Sequence, residues 1–187
     1  MAEICEQLSR HAVGTRVLLS GPLIVARDRV HGALLQRLEQ GVDLPDYFKN
    51  TPIYYSGPAK TPAGYASGAF GPTTSGRMDP YVTPFQGVGG SLVMLGKGNR
   101  SREVIESCRE RGGFYLGTIG GAAALAAELY IKKAQVIDFE EFGMEAAWRI
   151  EVEDFPAFLM IDDKGNEFFE NLKSSRPIQF TRQGPST

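Results

Sequence analysis

The feature that most restricts how this chain can fold is the uneven distribution of its glycine and proline residues. The 187 residues include 22 Gly and 11 Pro, more than an average protein contains, and many of them fall between Gly57 and Gly98. The same stretch holds apolar residues that low-complexity disorder would lack: Tyr65, Phe70, Met78, Tyr81, Phe85, Leu92, Val93, Met94 and Leu95. It therefore predicts one long shaped loop region that passes through turns and a short helix.

The length and charge of the chain limit its class. Domains usually run ~100–200 residues, so we expect one domain over residues 1–187, with a core at about 14–170 and a loose tail from about Lys173. The balance of 20 basic and 22 acidic residues argues against a nucleic-acid binder or a polybasic membrane-surface protein. Because a signal-like N-terminus and an apolar run of ~20 residues are both lacking, we expect a cytoplasmic protein without a membrane span.

The alternation of apolar and polar segments predicts an α/β layer sandwich. Helices are expected over residues 28–40, 77–86, 101–111 and 120–131. Strands are expected over 15–19, 51–55, 91–95, 114–116, 135–139, 149–152 and 157–161. A turn is expected at Ser20-Gly21-Pro22, and a hairpin turn at 162–166 leads to a last strand at 167–169.

The common phosphate and nucleophile motifs are not satisfied. A P-loop ending at Gly96-Lys97 would need Gly at position 91 and a hydroxyl at position 98, where Ser91 and Gly98 stand. The run from Gly117 to Gly121 opens a predicted helix, where it forms either a tight turn or an anion-binding set of amides. His11 and His31 are both expected on the surface, and neither belongs to a recognisable triad.

The two cysteines, Cys5 and Cys108, are too few for a chain-borne metal centre. They cannot form a disulfide scaffold or supply the three or four thiolates of an iron–sulfur cluster or a Cys-rich zinc site. No metal ligand is therefore assigned within this chain, and a redox or metal role needs ligands from elsewhere.

The strongest chemical signal is a set of cations and hydroxyls on loops at strand ends. Thr73 and Thr74 precede Arg77 at a predicted helix start, Arg27 follows a strand, and Lys97 ends one. Hydroxyls donate to anions, and the planar Arg fork suits a carboxylate. These residues suggest a small di-anionic ligand such as a dicarboxylate; the alternative is a helix cap formed by the threonines with a surface arginine.

Three segments together resemble the C-terminal domain of class I fumarases, which is also the β subunit of two-subunit fumarases and of L(+)-tartrate dehydratase. They are Ile53-Tyr54-Tyr55-Ser56-Gly57-Pro58, Gly71-Pro72-Thr73-Thr74-Ser75-Gly76-Arg77-Met78-Asp79 and Gly96-Lys97-Gly98-Asn99. The Gly117–Ala123 run is also similar. The resemblance covers about residues 14–169.

The resemblance implies a swivelling β/β/α domain with mixed sheets, belonging to a [4Fe–4S] hydro-lyase that acts on a dicarboxylate. The cluster is expected on a partner α subunit, and the assembly is expected to be a dimer of αβ units. Residues that match the family's substrate contacts are Arg27, Thr73, Thr74, Arg77 and Lys97. Thr73 also matches the position proposed to take part in proton transfer; since a hydroxyl is a weak base, that role needs a neighbour's help.

Two other interpretations stay open at this point. The chain could be a non-enzymatic dicarboxylate-binding module that uses the same cations, or a stand-alone swivelling domain of an aconitase-like dehydratase. The Thr-Thr-x-x-Arg-Met-Asp run argues against the latter. Fumarate or malate, tartrate and methyl-substituted analogues all carry two carboxylates, so the residues do not select among them.

Overall fold

Four parallel strands form the centre of the molecule. The computed structural model describes residues 1–59, 68–118 and 129–173. Its strands are β1 Arg16–Val25, β2 Ile53–Tyr54, β3 Ser56–Pro58, β4 Phe70–Pro72, β5 Val93–Gly96, β6 Phe114–Gly117, β7 Ile131–Asp138 and β8 Ala147–Ile161. Its α-helices are α1 Ala2–Ser9, α2 Asp28–Glu39, α3 Asp46–Asn50, α4 Asp79–Gly87, α5 Arg102–Arg111 and α6 Phe168–Lys173, with 3₁₀ turns at Ser75–Met78 and Glu140–Glu145.

The strands close into a ring. β1, β2, β5 and β6 pair in parallel in that order, and β8 pairs antiparallel with both β6 and β1. β7 lies outside the ring on β8, and β3 pairs with β4 in a separate small antiparallel sheet. This arrangement confirms the expected α/β class with mixed sheets.

Side chains of the parallel strands alternate between two buried clusters, as strand geometry requires. Ile24, Met94 and Tyr115 belong to the cluster that includes residues of α2, α3, α4 and α5. Their sequence neighbours belong to a second cluster with residues of β8, β4 and α1: Leu23, Val25, Val93, Leu95, Phe114 and Leu116. The parallel sheet is thus buried on both faces, between a helical layer and a β layer.

Two expected chain breaks are instead continuous strand. β1 runs through Ser20-Gly21-Pro22, because Gly21 (φ +120°) allows a bulge where the pairing with β8 shifts register. The two strands expected at 149–152 and 157–161 are one strand, β8, which contains Asp154 at φ +52°. The backbone N–H of Asp154 donates to the Ser20 hydroxyl, so the two irregularities support each other.

The prediction of a last strand at 167–169 is wrong. Only a single β-bridge forms there, between Ile161 and Glu167. The Asp162 carboxylate accepts from two backbone N–H groups and closes the turn as expected. Both Glu167 oxygens then accept backbone N–H groups, from Phe169 and Glu170, and this capping starts helix α6.

Other helix ends agree with the sequence. The Ser101 hydroxyl accepts from the Val104 N–H at the start of α5, and Gly112 ends that helix at φ +72°. Thr74 precedes the 3₁₀ turn without a side-chain capping bond, so the alternative of a helix cap does not hold for Thr74.

Most of the helix expected over 120–131 and nearly all of the tail from Lys173 lie outside the described residues. No helix in the described ranges is long and apolar enough to cross a membrane.

Candidate functional site

The carboxyl ends of the parallel strands gather the sequence-predicted cations at one end of the ring. Because β1, β2 and β5 run in parallel, the residues that follow them lie at the same edge. Arg27 lies two residues after β1, the Thr73 loop hydrogen bonds to the chain after β2, and Lys97 directly follows β5. Ligand sites in α/β folds usually lie at the carboxyl ends of parallel strands, in closed barrels as well as in open sheets.

Main-chain hydrogen bonds hold the loops that carry Thr73 and Lys97 against each other. The Thr73 N–H donates to the carbonyl of Tyr55 at 2.8 Å, and the Lys97 N–H donates to the carbonyl of Thr73 at 3.3 Å. The Ser75 N–H donates to the carbonyl of Lys97 at 2.9 Å, which gives Thr74 and Lys97 a parallel bridge. The hydroxyls and the lysine are therefore placed by backbone, while Thr74 and Lys97 remain exposed.

Arg77 joins Thr73 to the start of α2. Its Nε and Nη2 donate to the two oxygens of Asp28, at 3.1 and 2.5 Å, and its Nη1 donates to the Thr73 hydroxyl at 3.3 Å. About half of the Arg77 side chain, 54%, is exposed. The guanidinium is thus held along its Nε–Nη2 edge on a side chain that is still half exposed.

Arg27 is held by Gly57 and Glu145. A Cβ on residue 57 would lie only 2.9 Å from the Arg27 Nε, so glycine is needed for the guanidinium to lie on this strand. The Glu145 carboxylate oxygen lies 3.2 Å from the same Nε, which is buried and makes no hydrogen bond within the described residues. The contact is therefore an ion pair rather than an aligned hydrogen bond.

A buried ion pair lies beneath the exposed cations. The Arg100 side chain has no exposed surface; its Nε donates to Asp79 at 2.6 Å, and its guanidinium lies over the rings of Tyr55 and Tyr115. The second Asp79 oxygen accepts the Ser101 N–H at 2.7 Å. The pair ties the segment after Lys97 to the start of α4.

Tyr115 completes this support. Burial raises the pKa of its hydroxyl to about 12, so the hydroxyl keeps its proton at neutral pH. It donates to the Gly98 carbonyl at 2.9 Å, and the Ser75 hydroxyl, also 2.9 Å away, must then be the donor to Tyr115. Both loops of the site therefore contact one buried tyrosine.

His31 is not on the surface, contrary to the sequence-based expectation. It is 1% exposed, and its ring packs against Phe48, Tyr55, Tyr81 and Phe85. Its Nδ1 lies 3.0 Å from the Arg27 carbonyl, to which a protonated Nδ1 donates. The residue is a core histidine behind the start of α2, whereas His11 is exposed as expected.

The burial of His31 gives a pH prediction. Desolvation lowers the pKa of His31 from 6.5 to about 4, so the unfolded chain binds a proton between these values that the folded chain does not. Stability should fall as pH drops from 6.5 to 4, by about 3 kcal/mol from this group. In urea unfolding across this pH range, the free energy of unfolding should decrease less in His31→Phe than in wild type. In His11→Gln it should decrease as much as in wild type. Equal slopes in wild type and His31→Phe would contradict the assignment.

The described residues do not form a cluster site. Cys5 and Cys108 belong to different buried clusters, and burial raises the pKa of Cys5 and that of Cys108, the latter to about 11. A neutral buried thiol is a poor metal ligand. Within the described part of the chain, no three His, Cys, Asp or Glu side chains are grouped so as to hold a metal ion.

All five sequence-predicted site residues thus lie at one end of the ring. Arg77 contacts Asp28, the residue after Arg27, and main-chain hydrogen bonds join the Thr73 and Lys97 loops. Sequence reasoning left out three neighbours that hold the arginines: Asp28, Glu145 and Gly57. Gly57 had a signal, because it lies inside one of the motif segments. The two carboxylates had none, since each is far in sequence from at least one of its partners.

Comparison with known proteins shows the family of this chain. A family model described as Fumarase C-terminus matches residues 1–172. The chain is 56% identical over 176 residues to "Fumarate hydratase class I, aerobic" of Salmonella typhimurium, which covers 94% of the chain and 30% of that protein. It is 58% identical over 172 residues to "Fumarate hydratase 1, mitochondrial" of Leishmania major, covering 92% and 31%.

A smaller relative matches along most of its own length. The chain is 32% identical over 164 residues to "Putative L(+)-tartrate dehydratase subunit beta" of Methanocaldococcus jannaschii, which covers 86% of the chain and 84% of that protein. The chain thus spans about a third of the fumarate hydratases it matches, and most of a protein named as a β subunit. On the match over residues 1–172, the chain belongs to the fumarase C-terminal domain family.

Proposed function

We propose that this chain is the substrate-binding part of an iron–sulfur-dependent hydro-lyase that adds water to a dicarboxylate and removes it reversibly. One observation carries the proposal: Arg77 donates to the Thr73 hydroxyl, and main-chain hydrogen bonds join the loop of Thr73 to the loop of Lys97. The names fumarate hydratase and tartrate dehydratase among the relatives support the reaction class. Identities of 56–58% favour fumarate and malate as substrates.

The proposed residues have distinct roles. Arg77 binds one carboxylate through the Nη1–Nη2 end of its guanidinium, because the pairing with Asp28 uses the adjacent Nε–Nη2 edge. Lys97 and Arg27 supply the charge that holds and orients the rest of the di-anion. Thr74 presents a hydroxyl beside Lys97, to which it is bridged through the backbone. These contacts would also stabilise negative charge that grows on a carboxylate as the adjacent carbon loses its proton.

Thr73 is proposed to take part in proton transfer. The Arg77 Nη1 donates to its oxygen, and a donor at a hydroxyl oxygen favours the charged form of that group. Within the described residues, the Thr73 hydroxyl has no acceptor for its own proton. We propose that a carboxylate of the partner accepts it, because Asp28, the acid that contacts Arg77, is bound to the Nε–Nη2 edge of the guanidinium.

The [4Fe–4S] cluster is assigned to another polypeptide segment. The described residues do not fit it, and the matching fumarate hydratases are about three times as long as this chain. The similarity to a protein named as a β subunit supports an α partner. In this proposal the α partner carries the cluster, and the assembly is a dimer of αβ units.

Co-expression with a cluster-bearing partner tests the proposal. After anaerobic reconstitution, the complex should interconvert malate and fumarate, while the 187-residue chain alone should bind no iron and show no activity. Assays on L-tartrate beside malate identify the substrate. Calorimetry of the chain with malate is the control: binding without any activity of the complex would indicate the non-enzymatic binding module instead.

A further inference from the structure

We propose that Asp28 is a positioning residue that fixes the orientation of the Arg77 guanidinium for a substrate carboxylate. The inference rests on the proposed function, in which Arg77 binds that carboxylate. Asp28 is not among the residues that the sequence motifs single out, and it is 49 residues from Arg77 in the chain.

The pairing uses a specific edge of the guanidinium. Nε donates to Oδ1 at 3.1 Å and Nη2 donates to Oδ2 at 2.5 Å, so the two bonds run in parallel along the side edge. A guanidinium has five N–H groups in a fixed fork. This pairing leaves the Nη1–Nη2 end of the fork for a second carboxylate. At that end, Nη1 already donates to the Thr73 hydroxyl at 3.3 Å.

The position of Asp28 explains why it can hold this edge. It is the first residue of α2, where the helix fixes its backbone and the N-terminal dipole favours its charge. Its side chain is 30% exposed, while that of Arg77 is 54% exposed. Without the carboxylate, the long Arg77 side chain would sample several rotamers, and binding would have to overcome that entropy.

The same geometry argues against Asp28 as an internal competitor. A carboxylate that blocked substrate would occupy the Nη1–Nη2 end, the edge that faces Thr73. Because Asp28 lies on the Nε side, the guanidinium can bind two carboxylates at once. Removal of Asp28 should therefore weaken substrate binding, whereas removal of a competitor would strengthen it.

The kinetic test is a double-mutant cycle in the reconstituted complex. Asp28→Asn should raise KM for malate about tenfold with a smaller change in kcat, and it should have no further effect in an Arg77→Ala background. Asp28→Glu, which keeps the charge on a longer side chain, should recover part of the loss. A lower KM in Asp28→Asn, or an undiminished effect without Arg77, would overturn the proposal.

The matched control is Asp46→Asn, which removes an exposed acid at the first residue of α3. Any loss of stability that comes only from removing an acid at a helix N-terminus should be similar in Asp46→Asn and Asp28→Asn. Asp46→Asn should leave KM for malate unchanged. A KM change of the same size in both variants would assign the effect to general charge.

A second measurement does not depend on enzymatic activity. In the NMR spectrum of the 187-residue chain, the Nε–Hε signal of Arg77 is identified by its loss in Arg77→Lys. This signal should shift in Asp28→Asn and stay in place in Asp46→Asn. An unmoved signal would overturn the positioning role. If Arg77→Ala leaves the complex fully active, the proposed function fails, yet this signal still decides whether Asp28 orients Arg77.

Discussion

Replacing Arg77 by alanine should lower kcat/KM of the reconstituted complex for malate by about 100- to 1,000-fold, the usual cost of one preorganised charge-stabilising donor. The side chain contributes the end of the guanidinium fork that faces Thr73, and it donates to the Thr73 oxygen. Its loss removes a carboxylate contact and the N–H that supports the hydroxyl. Steady-state kinetics on malate and fumarate measure the effect.

Two further variants sharpen this result. Arg77→Lys keeps the charge but loses the paired donors, so its activity should fall between wild type and alanine. Arg10→Ala removes an exposed arginine that pairs with Glu6 on α1 and should leave kcat/KM unchanged. Full activity of Arg77→Ala would remove the basis for assigning substrate binding to this chain.

Replacing Arg100 by methionine should destabilise the chain by about 3–5 kcal/mol, the range for breaking one side of a buried ion pair. Arg100 has no exposed side-chain surface, and Asp79 is only 14% exposed, so the substitution leaves the Asp79 carboxylate largely buried without its cation. The midpoint of urea unfolding should fall accordingly.

Arg102→Met is the matched control for Arg100→Met. Arg102 lies two residues further along, is 91% exposed and pairs with Glu106 one helical turn away, so its loss should cost at most about 1 kcal/mol. The double variant Asp79→Asn with Arg100→Met should recover part of the lost stability, since no uncompensated charge remains. Equal midpoints for the Arg100 and Arg102 variants would contradict the buried-pair assignment.

Local chemistry made much of the fold predictable. Helix α5 follows from the hydroxyl of Ser101 and the left-handed Gly112, and strand β5 from its short apolar run. Irregular strands were harder, because Gly21 and Asp154 resemble turn residues but lie within pairing that only distant strands supply. The burial of His31 likewise depends on α3 and α4, which no local pattern connects to α2.

The site was predictable to the extent that it lies in short motifs. Thr73, Thr74 and Arg77 share one loop, and Lys97 ends a strand, so residue types and spacing were enough to find them. The carboxylates beside the arginines come from the helix start at Asp28 and from a 3₁₀ turn at Glu145. Their contribution depends on tertiary packing, which spacing along the chain does not encode.

The closed ring of strands limits how another polypeptide can attach. β2, β5 and β6 each lie between two neighbouring strands, so they offer no free main-chain edge for β-augmentation or for edge-to-edge aggregation. β1 pairs with β2 only at Ile24 and Val25, so among the described residues the stretch from Arg16 to Leu23 has a strand partner on its β8 side alone. β7, which pairs with β8 alone among the described strands, also has an open edge, and it carries the exposed Lys132 and Lys133, which discourage such pairing. A partner that binds at β2, β5 or β6 must therefore recognise side chains and loops, and its affinity there should respond to single surface substitutions.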